Sequence, residues 1–334
     1  MITQIKKLSI VIFIGVIFLF LIQYLINTDF RALGAYLLSS PIILPVLILI
    51  SLLGHIAGTI AWKLCMTNER DRIGFTELFF VRLVSENLTM FNPTNVIAGD
   101  GLKAIFLNRK EVEYQTAAKS VVLSRVLLIV AAVLLMMLST MYLIVKGTEG
   151  LSWLWIIGTI GIGLSITWIL LILFFGKKLF LFRVAKFLGQ SMFAKWVTEA
   201  RVEKIKLLNM DLVAYNLSNR KRLFLALDFS VLQWLCGALE FLVILHFFGL
   251  SVGPIDAVAI EMGVLGFKTA GSIVPGQIGV EEYGNKVMLA LVGVSGVEIW
   301  IVVSLLRRAR QLFWLATAGL ASAALYKKYR VKPV

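Results

Sequence analysis

The sequence predicts an all-α fold: a polytopic helical membrane protein with about six full spans and two re-entrant broken-helix hairpins in an inverted repeat. Three observations predict it. Of the 334 residues, 59% are hydrophobic and 16% are charged, whereas a soluble domain has roughly 45–50% apolar and about 25% charged residues. Several apolar stretches reach the roughly 20 residues that a helix needs to cross a hydrocarbon core. Two further apolar stretches are interrupted near their middle by proline, glycine and charged residues.

Six segments are predicted to cross the membrane completely, within a single transmembrane domain over residues 1–334. The first resembles a secretory signal peptide, but its apolar part exceeds the usual roughly 7–15 residues and no small-x-small cleavage site follows it. We therefore expect it to be retained as a span. The six segments are residues 8–26, 41–62, 119–145, 152–175, 223–248 and 297–325.

Basic residues set the predicted orientation. The connection 176–222 carries eleven Lys/Arg against three acids, and more lysines and arginines flank the first span and end the chain. The positive-inside rule then places this connection and both termini in the cytoplasm, in the cytoplasmic membrane. Apolar residues at helical spacing within 193–215 predict an interfacial amphipathic helix on anionic lipid headgroups. The alternative is a solvated helical loop.

The two interrupted stretches are residues 74–112 and 255–295. Their middles read FNPTNVIAGDG and SIVPGQIGVEEYG. As complete spans they would upset the orientation of the other six, whereas as re-entrant hairpins they preserve it, the first entering from the cytoplasm and the second from outside. Broken backbone is tolerated at membrane depth where it is buried in protein or lines a wet cavity.

An internal repeat joins the two interruptions. Pro93 and Pro275 are 182 residues apart, and the same offset pairs Asp100 with Glu282. It also pairs Asn95 with Gln277 and Arg125 with Arg307. The predicted repeat units, 74–145 and 255–325, run in opposite directions across the membrane, which is the architecture of many secondary transporters with a midplane substrate site. Each proline is expected to start the second half-helix, because its missing N–H costs nothing in the first turn. The amides exposed there can hold phosphate.

A substrate-binding set is predicted around the two breaks. Ionisable groups at membrane depth cost roughly 2.5–3.5 kcal/mol each on insertion scales, so they usually face a partner or a cavity. Arg125 and Arg307 are predicted as anchors, either for a lipid phosphate or for an acid network, because arginine donates two parallel hydrogen bonds. Glu281 and Glu282 are predicted as their counter-charges or as a proton-coupling site. The other members of the set are Asp100, Lys103, Asn87, Pro93, Pro275, Gln277, Lys268 and Arg310. The alternative is that these charges form structural salt bridges that lock the hairpins.

The stretches NLTMFNPTNVIAGDGLKAIFL, SRVLL, PGQIGVEEYG and LLRRARQLFW resemble the lysylphosphatidylglycerol synthase transmembrane-region (flippase-like) family, which includes the flippase half of the multiple peptide resistance factor. The resemblance covers about residues 8–325 and implies a lipid-translocating membrane domain. The family pattern matches Asn87, Pro93, Gly99, Asp100, Lys103 and Arg125, and then Pro275, Gly276, Gly279, Glu281 and Arg307. The soluble aminoacyl-transferring domain of the family does not follow, so lipid aminoacylation is not expected.

The function favoured by these features is a lipid flippase or transporter, rather than an enzyme. It would move a phosphate-bearing headgroup through a midplane site between the two hairpins. The expected partners are a membrane lipid with an anionic or zwitterionic headgroup and a lipid-modifying enzyme, and a homodimer is left open. Nucleic acid is not expected, although the net charge is +14, because the charge lies in the connection and the tail. No ATP-binding motif is present, so movement would be passive or gradient-coupled.

Two other classes stay open. A membrane-embedded lipid-modifying enzyme would use Ser295, since GVSG resembles the nucleophile motif of rhomboid proteases, although neither histidine supports a dyad. A non-transporting scaffold for such an enzyme is the second alternative. No cofactor or metal is expected, because the two cysteines lie in or beside apolar segments and the two histidines have no metal-ligand spacing.

Overall fold

The computed structural model describes residues 41–66, 73–89, 95–147, 161, 163, 220–272, 274, 277, 279–294 and 299–329. Within these residues every regular element is an α-helix, which confirms the predicted all-α membrane fold. The helices are α1 (Ile43–Leu64), α2 (Phe75–Thr89), α3 (Asn95–Arg109), α4 (Tyr114–Val145), α5 (Arg220–Phe247), α6 (Pro254–Ala270), α7 (Val280–Leu291) and α8 (Ile299–Tyr329).

Three helices, α1, α4 and α5, are long and apolar enough to cross a membrane by length and composition. They coincide with the predicted spans 41–62, 119–145 and 223–248. Helix α8 covers the predicted span 297–325 but carries three arginines, at 307, 308 and 310. The predicted spans 8–26 and 152–175 (apart from two glycines) lie outside the described residues, as does the connection 176–219 with its interfacial helix.

Both predicted interruptions separate two helices. Helix α2 ends at Thr89 and α3 begins at Asn95, and the residues between them lie outside the described part of the chain; α6 ends at Ala270 and α7 begins at Val280. The prediction that Pro275 begins the second half-helix is wrong, because α7 begins at Val280. A cap sets this start: the Gly279 N–H donates to the Glu282 carboxylate at 2.7 Å, and Gly279 has a φ of +82°, which glycine adopts without strain. Pro93 and Pro275 themselves lie outside the described residues.

The helix bounds can be compared at the offset of the predicted internal repeat, which stays a prediction. Adding the offset of 182 to the bounds of α1–α4 gives 225–246, 257–271, 277–291 and 296–327. Helices α5–α8 span 220–247, 254–270, 280–291 and 299–329. The order of a long helix, two short helices and a second long helix therefore occurs twice. The inversion of one repeat relative to the other stays a prediction.

The chain divides into two compact units. The Arg125 unit contains the described residues of 52–82 and 100–237, and the Arg307 unit contains those of 41–51, 83–99 and 238–329. An apolar cluster in the Arg125 unit joins the C-terminal end of α1 to α4 and α5 through Cys65, which directly follows α1, and through Leu123, Leu127, Leu223 and Ala226. In the Arg307 unit, α6 packs against α7 and α7 against α8. Helix α8, which packs against α7, carries Arg307.

Candidate functional site

Arg307 is the centre of a buried ion network in the Arg307 unit. Its side chain is 4% exposed, and it faces carboxylates from three different helices. The guanidinium lies 3.3 Å from Glu240 of α5, 2.9 Å from Glu261 of α6 and 3.5 Å from Glu281 of α7. The ring of Phe241 lies 4.2 Å from the guanidinium carbon and adds a cation–π contact. One arginine thus holds three helices together through charge.

Three more cations complete this network. Arg310 donates to Glu240, and Arg308 donates from Nε to Glu282 at 2.9 Å. Lys268 of α6 lies 3.5 Å from Glu281. The Arg307 network therefore contains four basic side chains (Lys268, Arg307, Arg308 and Arg310) and four acidic ones (Glu240, Glu261, Glu281 and Glu282), and it is neutral when all eight are ionised.

Exposure divides the network into a deep part and an edge. The side chains of Arg307, Glu240 and Glu281 are 1–4% exposed. At the edge, Lys268 is 23% exposed and Arg308 is 19% exposed. Both edge cations contact the buried Glu281 carboxylate, Lys268 at 3.5 Å and Arg308 at 3.7 Å. An approaching anion would meet Lys268 and Arg308 before the deep residues.

Arg308 also connects the helix interruption to α8. Its Nη2 donates to the Gln277 carbonyl at 3.2 Å, and the Gln277 amide donates to the Lys268 carbonyl at 3.3 Å. Gln277 has a φ of +53°, which a residue with a side chain adopts only when its surroundings enforce it. These contacts hold the described part of the interruption against both α6 and α8.

The Arg125 unit contains a smaller charge cluster. Arg125 of α4 donates from Nε and Nη2 to Asp100 of α3 at 3.0 and 2.8 Å, which is the paired geometry of an arginine fork. Lys103 lies 3.2 Å from the same carboxylate, and its ammonium lies 5.7 Å from the ring centroid of Trp62. The Arg125 and Asp100 side chains are 27% and 21% exposed. This pair is therefore less buried than the deep part of the Arg307 network.

The predicted site residues fall into three groups. Six belong to the Arg307 network or its edge: Arg307, Glu281, Glu282, Lys268, Gln277 and Arg310. Asp100, Lys103 and Arg125 belong to the second cluster. The buried Asn87 joins neither through its amide, which donates to the Leu83 carbonyl within α2 at 2.9 Å. Pro93, Pro275 and the alternative nucleophile Ser295 lie outside the described residues.

The described part of the chain contains no group of three or more side chains suited to a metal ion. Cys65 and Cys236 are buried there, and neither forms a disulfide within the described residues.

Residues 8–319 match the family described as the lysylphosphatidylglycerol synthase TM region. The chain belongs to the lysylphosphatidylglycerol synthase TM region family. The predicted resemblance is thereby confirmed, and the protein is a membrane protein of a family that acts in lipid modification or transport. No curated protein and no solved structure matches the chain.

In this member of the lysylphosphatidylglycerol synthase TM region family, three network residues and one glutamine that contacts the network were absent from the predicted site. They are Glu240, Glu261, Arg308 and Gln311. The signal for the first three was their charge within apolar segments. Gln311 donates to Glu281 at 3.2 Å and follows Arg307 by four residues, so the two share one helix face.

Stability alone does not account for such a network. Taking charges out of water is so unfavourable that replacing a buried ion network with apolar residues is often neutral or stabilising. Ionisable residues within membrane helices accordingly mark substrate or ion pathways by default. The Arg307 network is therefore the candidate functional site.

Proposed function

We propose that the protein is a lipid flippase that moves a phosphate-bearing headgroup across the membrane, with the Arg307 network as its headgroup site. The observation that carries the proposal is the neutral set of eight charges on four helices, next to a helix interruption, in a protein of a lipid-handling family. Broken helices beside charged residues are how secondary transporters build a site at membrane depth.

The headgroup would bind first at the edge of the network. Arg308 offers a planar fork that matches two phosphate oxygens, and Lys268 offers a second cation beside the same Glu281 oxygen. Before the lipid arrives, Glu281 and Glu282 hold these cations in place. The phosphate would then exchange with these carboxylates rather than meet unpaired charges, which keeps the energy of the empty and loaded states similar.

The membrane and the orientation that we propose rest on the distribution of basic residues along the chain. We propose the cytoplasmic membrane with both termini inside, because the lysines and arginines concentrate in the 176–222 connection and at the chain ends. The lipid crosses from one leaflet to the other at the site, while its acyl chains stay in the hydrocarbon region.

Translocation in proteoliposomes tests the proposal. Fluorescent phosphatidylglycerol is placed in both leaflets, and an impermeant quencher reports how fast the inner-leaflet lipid becomes accessible. Arg308→Gln and Lys268→Gln are expected to lower the rate by about tenfold or more each, because a charge-assisted hydrogen bond contributes about 1.5–3 kcal/mol.

Lys110→Gln is the matched control. Lys110 is a half-buried lysine that pairs with Glu77 at 2.9 Å in the Arg125 unit, outside the Arg307 network. We expect its rate to equal that of the wild type. Wild-type rates in both edge variants, in protein that stays folded, would rule out the Arg307 network as the headgroup site.

A further inference from the structure

Charge balance in the Arg307 network has a consequence for what must accompany the lipid. The network holds four cations and four carboxylates, and its deep members are 1–4% exposed. A phosphodiester carries one negative charge at neutral pH. Its entry would leave the network with an excess negative charge in a medium that stabilises charge poorly. Either a cation must enter with the phosphate, or one carboxylate must become neutral.

We propose that one proton enters with each phosphodiester and that Glu281 is the residue that takes it. The inference rests on the proposed function, because it assigns the energy coupling of the same headgroup site. Binding forms an ion pair between the phosphate and the edge cations, and a proton from the aqueous phase adds to a Glu281 carboxylate oxygen. The loaded network keeps the net charge of the empty one.

The positions of the cations single out Glu281. It is held by Lys268 of α6 at 3.5 Å, and by Arg307 and Arg308 of α8 at 3.5 and 3.7 Å. Two of these three are the edge cations that the phosphate reaches first. When they turn to the phosphate, a carboxylate that is 3% exposed loses most of its counter-charge. Burial then favours the protonated form.

The neighbouring carboxylates are placed differently. Glu240 of α5 and Glu261 of α6 pair with Arg307, and Glu240 also pairs with Arg310, so both keep deep partners when the edge is occupied. Glu282 also loses an edge cation, Arg308 at 2.9 Å, but it keeps the Gly279 N–H that caps α7, at 2.7 Å.

Gln311 provides the partner that a protonated Glu281 needs. Its amide lies 3.2 and 3.4 Å from the two Glu281 oxygens. A protonated carboxyl still accepts from this amide through its carbonyl oxygen, so that oxygen is not left without a hydrogen bond on losing the edge cations. The site can therefore hold Glu281 in either form.

Calorimetry in buffers of different ionisation enthalpy counts the protons. The full-length protein in detergent micelles is titrated near pH 7 with dihexanoyl phosphatidylglycerol, and the dependence of the binding enthalpy on the buffer enthalpy gives the protons exchanged. We expect uptake of about one proton per bound lipid in the wild type. In Glu281→Gln, we expect the lipid to bind with no proton uptake, because the glutamine is already neutral.

Two other ligands separate the contributions. Dihexanoyl phosphatidylcholine brings a compensating ammonium, so it should bind without proton uptake. Glycerophosphoglycerol is the same phosphodiester without acyl chains. Proton-linked binding of this compound would support the coupling and identify the phosphodiester, rather than the whole lipid, as the ligand.

The outcomes separate this inference from the proposed function. Binding of phosphatidylglycerol by the wild type without proton uptake overturns the proton coupling and leaves the flippase proposal standing. Uptake that is unchanged in Glu281→Gln overturns the assignment to Glu281. The absence of any lipid binding by the wild type overturns both. Glu77→Gln, which alters the Lys110 pair in the Arg125 unit, is the control and should keep the wild-type proton number.

Discussion

Arg125 and Arg307 occupy the same position in the two repeats, yet their surroundings differ. Each lies on the second long helix of its repeat, 182 residues from the other. Arg125 pairs with Asp100 through two hydrogen bonds and is 27% exposed. Arg307 is 4% exposed and faces three glutamates. One arginine forms a local, partly exposed pair, and the other organises a buried network.

The repeat register explains this difference. The positions that correspond to the three glutamates around Arg307 are Gly58, Phe79 and Gly99 in the first repeat. Of the acidic positions in the Arg307 network, only that of Glu282 keeps a carboxylate, as Asp100. The arginine that is more deeply buried is therefore the one whose neighbouring helices supply acids, and the two predicted repeat units differ in those acids rather than in the arginine.

Removing Arg307 is expected to have the largest effect. Arg307→Met leaves Glu240, Glu261 and Glu281 buried with one cation fewer, and breaking a buried ion pair costs about 3–5 kcal/mol. Unfolding by denaturant in mixed micelles measures the loss. Adding Glu261→Gln to Arg307→Met should recover part of the stability, because it removes one of the carboxylates left without its partner.

A loss below about 1 kcal/mol for Arg307→Met would contradict the buried network. Arg125 and Arg307 would then contribute similarly to the free energy of unfolding, despite their different burial.

Gly58→Ala is expected to have an intermediate effect and tests whether the first repeat has room for a side chain where the second has Glu240. A Cβ at Gly58 would overlap the Arg82 guanidinium and the Gln233 amide oxygen. Arg82 is fixed there by hydrogen bonds to Gln233 at 3.0 Å and to the His55 carbonyl at 2.9 Å. Overpacking of this kind costs about 1–3 kcal/mol.

The control for Gly58→Ala is Gly101→Ala. A Cβ at Gly101 meets no atom within 4 Å, and helix propensity favours alanine there by about 1 kcal/mol. Equal melting temperatures for the two alanine variants would show that the space around Gly58 is not limiting.

Removing Arg125 is expected to have the smallest effect on stability. In Arg125→Met, Asp100 keeps Lys103 at 3.2 Å and stays partly exposed, so the loss should be about 1 kcal/mol or less. The same denaturation measurement compares this variant with Arg307→Met. A loss as large as that of Arg307→Met would mean that Lys103 and partial exposure do not stabilise the remaining Asp100 charge, and the contrast between the two predicted repeat units would disappear.

Much of the helix layout could be predicted from the sequence. Hydropathy placed α1, α4 and α5 within five residues of their observed bounds, and proline and glycine located both interruptions. The predicted start of α7 was wrong because helix initiation was assigned to Pro275, whereas the hydrogen bond between Gly279 and Glu282 caps the helix. Such a cap depends on a side chain turning back to the backbone, and spacing alone does not settle which of two adjacent glutamates does so.

The members of the candidate site could be predicted only in part, again because the missing ones are set by tertiary contacts. Arg307, Glu281, Glu282 and Lys268 stand out as charges near one break in an apolar chain. The contacts of Arg307 with Glu240 and Glu261 join residues 67 and 46 positions apart. They depend on which helix faces meet, and helical periodicity is weak where a helix is apolar nearly all round.

The sequence by itself determined the membrane class, the helix order, the two interruptions and the presence of costly charges between apolar residues. These properties are local, because transfer energy and backbone preference act over a turn or a single helix. The tertiary structure alone decided which carboxylate meets which cation and how deeply each is buried, because ion pairing within a few ångströms depends on the packing of helices that are distant in the chain.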